Sequence, residues 1–298
     1  MRIPRDTPTL RKLLTAAAAL AGFCAVLATT SASARAEDED GNPDSFDLLG
    51  YFPTKGTAGR IKPYQLRLSY LWGPVNYTSV QGASDAAVTA GSFQQGFRAE
   101  TDRWFQIGSA HRRNFGVMAD FQHLSVSPFD TLAGPSISYT SASVMFGYRV
   151  FGFGHFQAWI PELTVQIGPA LEYFPTMTVA LDSTSYKLSQ PQILGTRAGA
   201  RFRTPILPAL GNLSLEIGGY YTKPMKVIDS SGGTVDSGNA QSYGGTALVD
   251  VRLFSRAIFG FGLYIGHFDL RYTPTGAATT DQSVFDTQSF LGSVRVSF

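Results

Sequence analysis

From residue 62 onward the sequence repeats its character every two residues. Side chains of a strand point alternately to its two faces, so this period marks strands that separate two environments. Lys62–Gly73 sets Tyr64, Leu66, Leu68, Tyr70 and Trp72 on one face and Gln65, Arg67 and Ser69 on the other. Glu162–Tyr173 sets Leu163, Val165, Ile167, Leu171 and Tyr173 against Glu162, Thr164, Gln166, Gly168 and Glu172. The same pattern runs through ten segments, at about 62–73, 92–109, 114–127, 136–150, 158–174, 187–204, 212–225, 241–254, 257–273 and 284–298.

Each segment is long enough to cross a bilayer as a tilted strand, which takes about 9–11 residues. Past the N-terminal region no stretch is apolar over the roughly 18 residues that a spanning helix needs. The chain is nevertheless poor in charge, at 15% against about 25% for soluble domains. Backbone polar groups must be paired in lipid, and a closed barrel pairs them all between strands without leaving a free edge. The expected fold class is therefore all-β: a transmembrane antiparallel up-and-down β-barrel of ten strands, an even number as single-chain bacterial barrels have. Met177–Leu188 reads either as an outer hairpin or as extra wall strands, which leaves eight and twelve strands open.

The N-terminus reads as an export signal. Arg2, Arg5, Arg11 and Lys12 precede an apolar run from Leu13 to Ala28, and Ala34-Arg35-Ala36 fits a cleavage site before Glu37. Cys24, the one cysteine, lies in that run, which leaves a mature chain without thiols, suited to an oxidising compartment. Removing residues 1–36 takes five of the 24 basic and one of the 22 acidic residues, leaving 19 and 21, a net of −2. No basic surface for nucleic acid is expected. Residues 37–61, opening on Glu37-Asp38-Glu39-Asp40, read as a periplasmic lead-in, and 62–298 as the barrel.

The connections alternate in length. Those around His111, His155, Pro205–Gly211 and Ser255-Arg256 are short. Val75–Gly91, Pro128–Pro135, Pro175–Tyr186, Lys226–Ala240 and Pro274–Ser283 are mostly longer and more polar. Short turns belong to the periplasmic side and long loops to the outside. Tyr70, Trp72, Tyr173, Tyr221, Tyr243 and Tyr272 then fall at the outer rim, and Phe115, Trp159, Phe259 and Phe298 at the inner one.

The last segment places Phe290, Gly292, Val294 and Val296 on one face, opposite Ser289, Ser293, Arg295 and Ser297, and ends on Phe298. It resembles the terminal strand of bacterial outer-membrane β-barrel proteins. That resemblance implies an assembly signal in Phe290, Val294, Val296 and Phe298, read by periplasmic chaperones and the barrel assembly machinery. It further implies contact with outer-membrane lipid and lipopolysaccharide.

The alternation assigns to the interior Arg67, Arg98, Arg149, Arg197, Arg201, Arg203, Arg252 and Arg295, together with Glu100, Asp102, Asp120, Glu162, Glu172, Glu216 and Asp250. Eight positive charges face seven negative ones, all the cations are arginine, and guanidinium holds carboxylates in a planar fork. Eight strands leave room for side chains or one small ligand, and open porins have about 16–18. An ion-paired filling is expected, with a narrow polar channel as the alternative. Arg103 falls on the outer face unless a bulge at Asp102–Trp104 turns it inward.

Catalytic candidates are few. His123 and Ser125 share a face near the outer end of the third segment, as a base and a nucleophile would. The pair is similar to the His-x-Ser element of lipid A 3-O-deacylases, although Val126 stands where that family carries Asn. His267 and Asp269 resemble the Asp/His pair of omptin proteases, with no second close Asp pair. No metal cluster or phosphate loop is present, and no cofactor is expected. The reading is an envelope protein with a structural or surface-interaction role, with a narrow channel for small solutes as the alternative and an outer-rim hydrolase as the third.

Overall fold

The computed structural model describes residues 64–82, 86–105, 115–126, 137–151, 161–179, 186–206, 213–228, 233–252 and 257–297. The export signal, the lead-in, His111, His155, Trp159 and Phe298 lie outside the described residues. The strands are β1 (Tyr64–Gln81), β2 (Ala86–Phe105), β3 (Phe115–Val126), β4 (Ile137–Phe151), β5 (Glu162–Tyr173), β6 (Thr176–Val179), β7 (Tyr186–Ser189), β8 (Gln192–Pro205), β9 (Leu213–Val227), β10 (Thr234–Val235), β11 (Gln241–Arg252), β12 (Ala257–Thr273) and β13 (Asp281–Ser297).

Ten of them form a closed wall in the order β1, β2, β3, β4, β5, β8, β9, β11, β12, β13 and back to β1, every pairing antiparallel. Closure satisfies every edge, which is what lets a sheet lie in lipid. Among the described residues β6 and β7 pair with each other and not with the wall, so the described ends of Met177–Leu188 form a separate two-stranded ladder and the wall has ten strands. β10 adds two residues to the outer end of β12.

The middle of the wall turns large apolar side chains outward. Leu68, Phe97, Phe146, Ile167, Ile217, Phe261, Leu263, Ile265 and Phe290 are all exposed, Phe146 to 68% and Phe261 to 64%. In water such a belt would be a large apolar patch, whereas in a bilayer it is the contact surface.

Toward the outer end the alternation keeps its period but reverses its polarity. On β1, Asn76 is exposed outside while Val75 and Tyr77 are buried inside. On β12, His267 and Arg271 lie outward while Phe268, Leu270 and Tyr272 are buried. On β13, Asp286 points out and Phe285 in. There the inward side chains of the strands pack on one another.

This reversal corrects several expectations. Val75–Gly91 is not a long loop: β1 and β2 pair continuously to Gln81 opposite Ala86. β13 starts at Asp281 rather than 284, and the wall strand expected from 187 starts at Gln192, because Tyr186–Ser189 belongs to the hairpin. Tyr272 is not a rim residue but part of the buried interior. Tyr70, Tyr221 and Tyr243 do present exposed rings on the outer wall. No bulge interrupts β2 at Asp102–Trp104, where pairing to β1 and β3 is continuous. Arg103 stays on the outer face near the end of β2, its guanidinium 5.4 Å from the Phe105 ring centroid.

Candidate functional site

The interior is stratified along the barrel axis. At the end of the short connections, Arg149 lies 3.9 Å from the Trp104 ring centroid and 3.3 Å from Glu162 Oε1. Trp104 packs there with Met118 and Met145, which face each other across β3 and β4.

Above this layer the charges gather. Glu216, on β9, accepts from Arg67 and from Arg203 Nε at 3.0 Å, and from Arg295 Nη1 at 3.0 Å. Asp250, on β11, accepts from Arg67 Nη2 at 3.1 Å and Arg295 Nη2 at 2.7 Å. Arg67 and Arg295 sit directly opposite each other on β1 and β13, so only shared carboxylates hold these two like charges together. Gly260 makes the room: a Cβ there would come within 2.5 Å of Asp250 Oδ1.

Arg201 Nη2 donates to Asp102 Oδ2 at 3.0 Å, and Arg98 Nε to Asp120 Oδ1 at 2.9 Å, while Arg98 also lies 3.2 Å from Glu100. Arg197 bridges Asp120 and Glu172, both at 3.2 Å, with Thr222 Oγ1 accepting from its Nε at 2.8 Å. A guanidinium fork explains why one residue joins two carboxylates from different strands. Between these groups lies a cavity of about 50 Å³, lined by Arg67, Arg98, Glu100, Asp102, Arg201 and Glu216 among others. In the structure Arg67, Arg203, Arg295, Glu216 and Asp250 form one ion-paired group, Arg98, Arg197, Asp120 and Glu172 a second, and Arg201 with Asp102 and Arg149 with Glu162 two further pairs. The side chain of Arg252 lies outside the described residues.

A hydrogen-bonded layer caps the charges. Tyr139 donates to Glu172 Oε1 at 2.9 Å, Ser242 to Glu172 Oε2 at 3.2 Å, and the Tyr220 and Tyr264 hydroxyls meet at 2.9 Å. Over it lies a stratum that the sequence reading did not foresee. Tyr139, Phe268 and Phe285 are packed ring on ring, with the Tyr139 and Phe268 centroids 4.2 Å apart. Tyr77 and Phe174 join them from opposite walls. Leu124, Val126, Ile137, Ile193, Val227, Leu270 and Tyr272 complete the same buried cluster.

The β6–β7 pair lies across this end of the barrel. It leaves the wall between β5 and β8, crosses the lumen, and brings β6 against β1, β2 and β13 on the far side. Tyr77 donates to Pro175 O at 3.2 Å from that far side. At the near side Gln190 Nε2 donates to Ser138 Oγ at 3.0 Å. A signal for this stratum was in the sequence: apolar residues on the lumen face of the outer strand ends, opposite polar ones.

The catalytic candidates are not assembled. His123 Nδ1 bonds Thr140 Oγ1 at 2.8 Å on the neighbouring strand, rather than Ser125. His267 Nδ1 pairs with Asp286 Oδ1 at 2.6 Å, while Asp269 accepts from Gln282 Nε2 at 3.1 Å and 3.2 Å. Among the described residues no group of three or more His, Cys, Asp or Glu side chains is placed to hold a metal. Of the expected assembly signal, Phe290 and Val294 are exposed on the outer wall of β13.

A closed wall, an apolar exterior and a polar interior decide the class. The geometry is that of a transmembrane β-barrel. Neither a protein-family description nor a curated protein matches the chain. Solved structures similar to it include Neisserial surface protein A, at 10% identity and a TM-score of 0.33, covering 79% of this chain and 97% of that one. An outer membrane channel from Pseudomonas putida F1 is 10% identical, TM-score 0.40, covering 83% and 100%. The outer membrane protease OmpT from Escherichia coli is 8% identical, TM-score 0.36, covering 86% and 99%.

Proposed function

We propose that this chain is an outer-membrane barrel of a Gram-negative bacterium, exported on a cleaved leader at residues 1–36. In this reading it serves the envelope through its wall and outer surface and does not pass solutes. The observation that carries the proposal is the aromatic stratum, in which Tyr77, Tyr139, Phe268 and Phe285 are fully buried in the lumen beneath a crossing hairpin. An aqueous path needs a continuous polar lining, and apolar packing of this kind supplies no partners for water. The last strand, with Phe290, Val294, Val296 and Phe298, is the segment proposed for recognition by the assembly machinery.

A planar bilayer tests it. Folded wild-type protein is expected to give no steady single-channel current at neutral pH. Steady currents of uniform size would favour the second reading, a narrow channel. The polar cavity among Arg67, Arg98, Glu100 and Arg201 is the observation that speaks for that reading.

A further inference from the structure

One row of side chains on the outer wall has no part in the lumen. Cross-strand pairing sets Tyr221 on β9 opposite Tyr243 on β11, Tyr243 opposite His267 on β12, His267 opposite Asp286 on β13, and Asp286 opposite Asn76 on β1. The five therefore lie side by side across five strands. All point outward, with Tyr221, Tyr243, Asn76 and Asp286 exposed. Tyr243 stacks on His267 at 4.9 Å, and His267 is tied to Asp286 at 2.6 Å. Next to the row, toward the mid-wall, the same strands carry Ile217, Ile265 and Phe290, which are exposed apolar residues.

We infer that this row binds the sugar rings of an outer-leaflet glycolipid; the inference rests on the outer-membrane reading above. Position comes first. A carboxylate and an imidazole pointing sideways from a lipid-facing wall belong at the headgroup level, where their solvation cost falls away. Charge comes second. Asp286 takes up His267, the nearby Arg271 lies 3.5 Å from Asp269, and Lys223, two residues beyond Tyr221 on the same face, donates to Gly238 O at 3.3 Å, so each of these described cations already has a partner within the protein. Shape comes third. Two tyrosine rings offer flat apolar faces with a polar edge, and the half-exposed Asp286 carboxylate and the Asn76 amide offer hydrogen bonds to hydroxyls. A pyranose, with an apolar face of C–H groups and a rim of hydroxyls, matches that arrangement. A phospholipid headgroup does not.

The test uses the full barrel folded into phosphatidylcholine vesicles that contain either deep-rough lipopolysaccharide or phosphatidylglycerol. After detergent extraction, co-purifying lipid is read by native mass spectrometry. Wild type is expected to retain the lipopolysaccharide, before and after its phosphates are removed enzymatically, and to release phosphatidylglycerol. Tyr243→Ala and Asp286→Ala are each expected to lower retention roughly tenfold, and Tyr173→Ala, on another part of the wall, to leave it unchanged. Equal retention by all the variants would overturn the inference. So would loss of binding on dephosphorylation, or equal retention of phosphatidylglycerol. Heat-modifiable gel migration of the same samples separates the two readings. A folded barrel without sugar preference defeats the glycolipid site alone, and a chain that never inserts defeats the outer-membrane reading as well.

Discussion

Tyr77 on β1 donates its hydroxyl hydrogen to the carbonyl oxygen of Pro175 at 3.2 Å, and thereby joins opposite sides of the barrel. Pro175 opens the β6–β7 crossing, so this bond ties the hairpin to the wall that it reaches. Tyr77→Phe keeps the ring and removes the bond. Stability in denaturant titration is expected to fall by about 0.5–1.5 kcal/mol, as for a lost neutral hydrogen bond. Backbone amide exchange at Phe174 and Thr176 is expected to quicken.

The rings below the hairpin form the seal. Phe268→Ala or Phe285→Ala alone is expected to cost about 3–5 kcal/mol through lost packing and the cavity left behind. The double variant removes adjacent rings, 6.1 Å apart in the wild type. It is expected to admit small solutes in a liposome-swelling assay in which wild type admits none.

Glu216 is the carboxylate with most to lose. Arg67, Arg203 and Arg295 all converge on it. Glu216→Ala leaves buried guanidinium groups short of a counter-charge, at an expected cost of about 3–5 kcal/mol. Urea unfolding of barrels refolded in vesicles measures this. Replacing Gly260 by Val is expected to act on the same cluster, because its side chain would displace Asp250 and Ser293.

The lumen charges were legible in the sequence because a strand inside the membrane has one constant environment on each side. Arg67, Arg98, Arg197, Glu172 and Glu216 could be assigned inward by period alone, and all five side chains are buried. The outer third was not legible in the same way. There the outward face carries polar residues, so Asn76 and Asp286 look like loop residues, and Tyr77, Phe285 and Tyr272 look misplaced. The period persists while its polarity inverts, and a reader expecting apolar outside stops the strand too early. The hairpin crossing had no local signal either, because what holds β6 is the far wall.

Arg103 gives the outer wall a depth test. It sits near the end of β2 beside Phe105, where a charge costs about 0–1 kcal/mol against about 2–4 kcal/mol at the midplane. Arg103→Ala is therefore expected to change stability by less than about 1 kcal/mol. Leu263→Arg, on the exposed belt of β12, is expected to cost about 2–4 kcal/mol in the same vesicle assay.

The orientation of alternate side chains on β13 bears most directly on the whole account. Single spin labels placed in turn from Ser289 to Val294, in protein folded into vesicles, report collision with oxygen from the lipid and with a water-soluble nickel chelate. Oxygen access is expected to peak at Phe290, Gly292 and Val294 and to fall at Ser289, Leu291 and Ser293, with the chelate excluded from the first set. Equal access of the chelate to all six positions, or oxygen access without a period of two, would contradict a barrel whose outer wall lies in lipid.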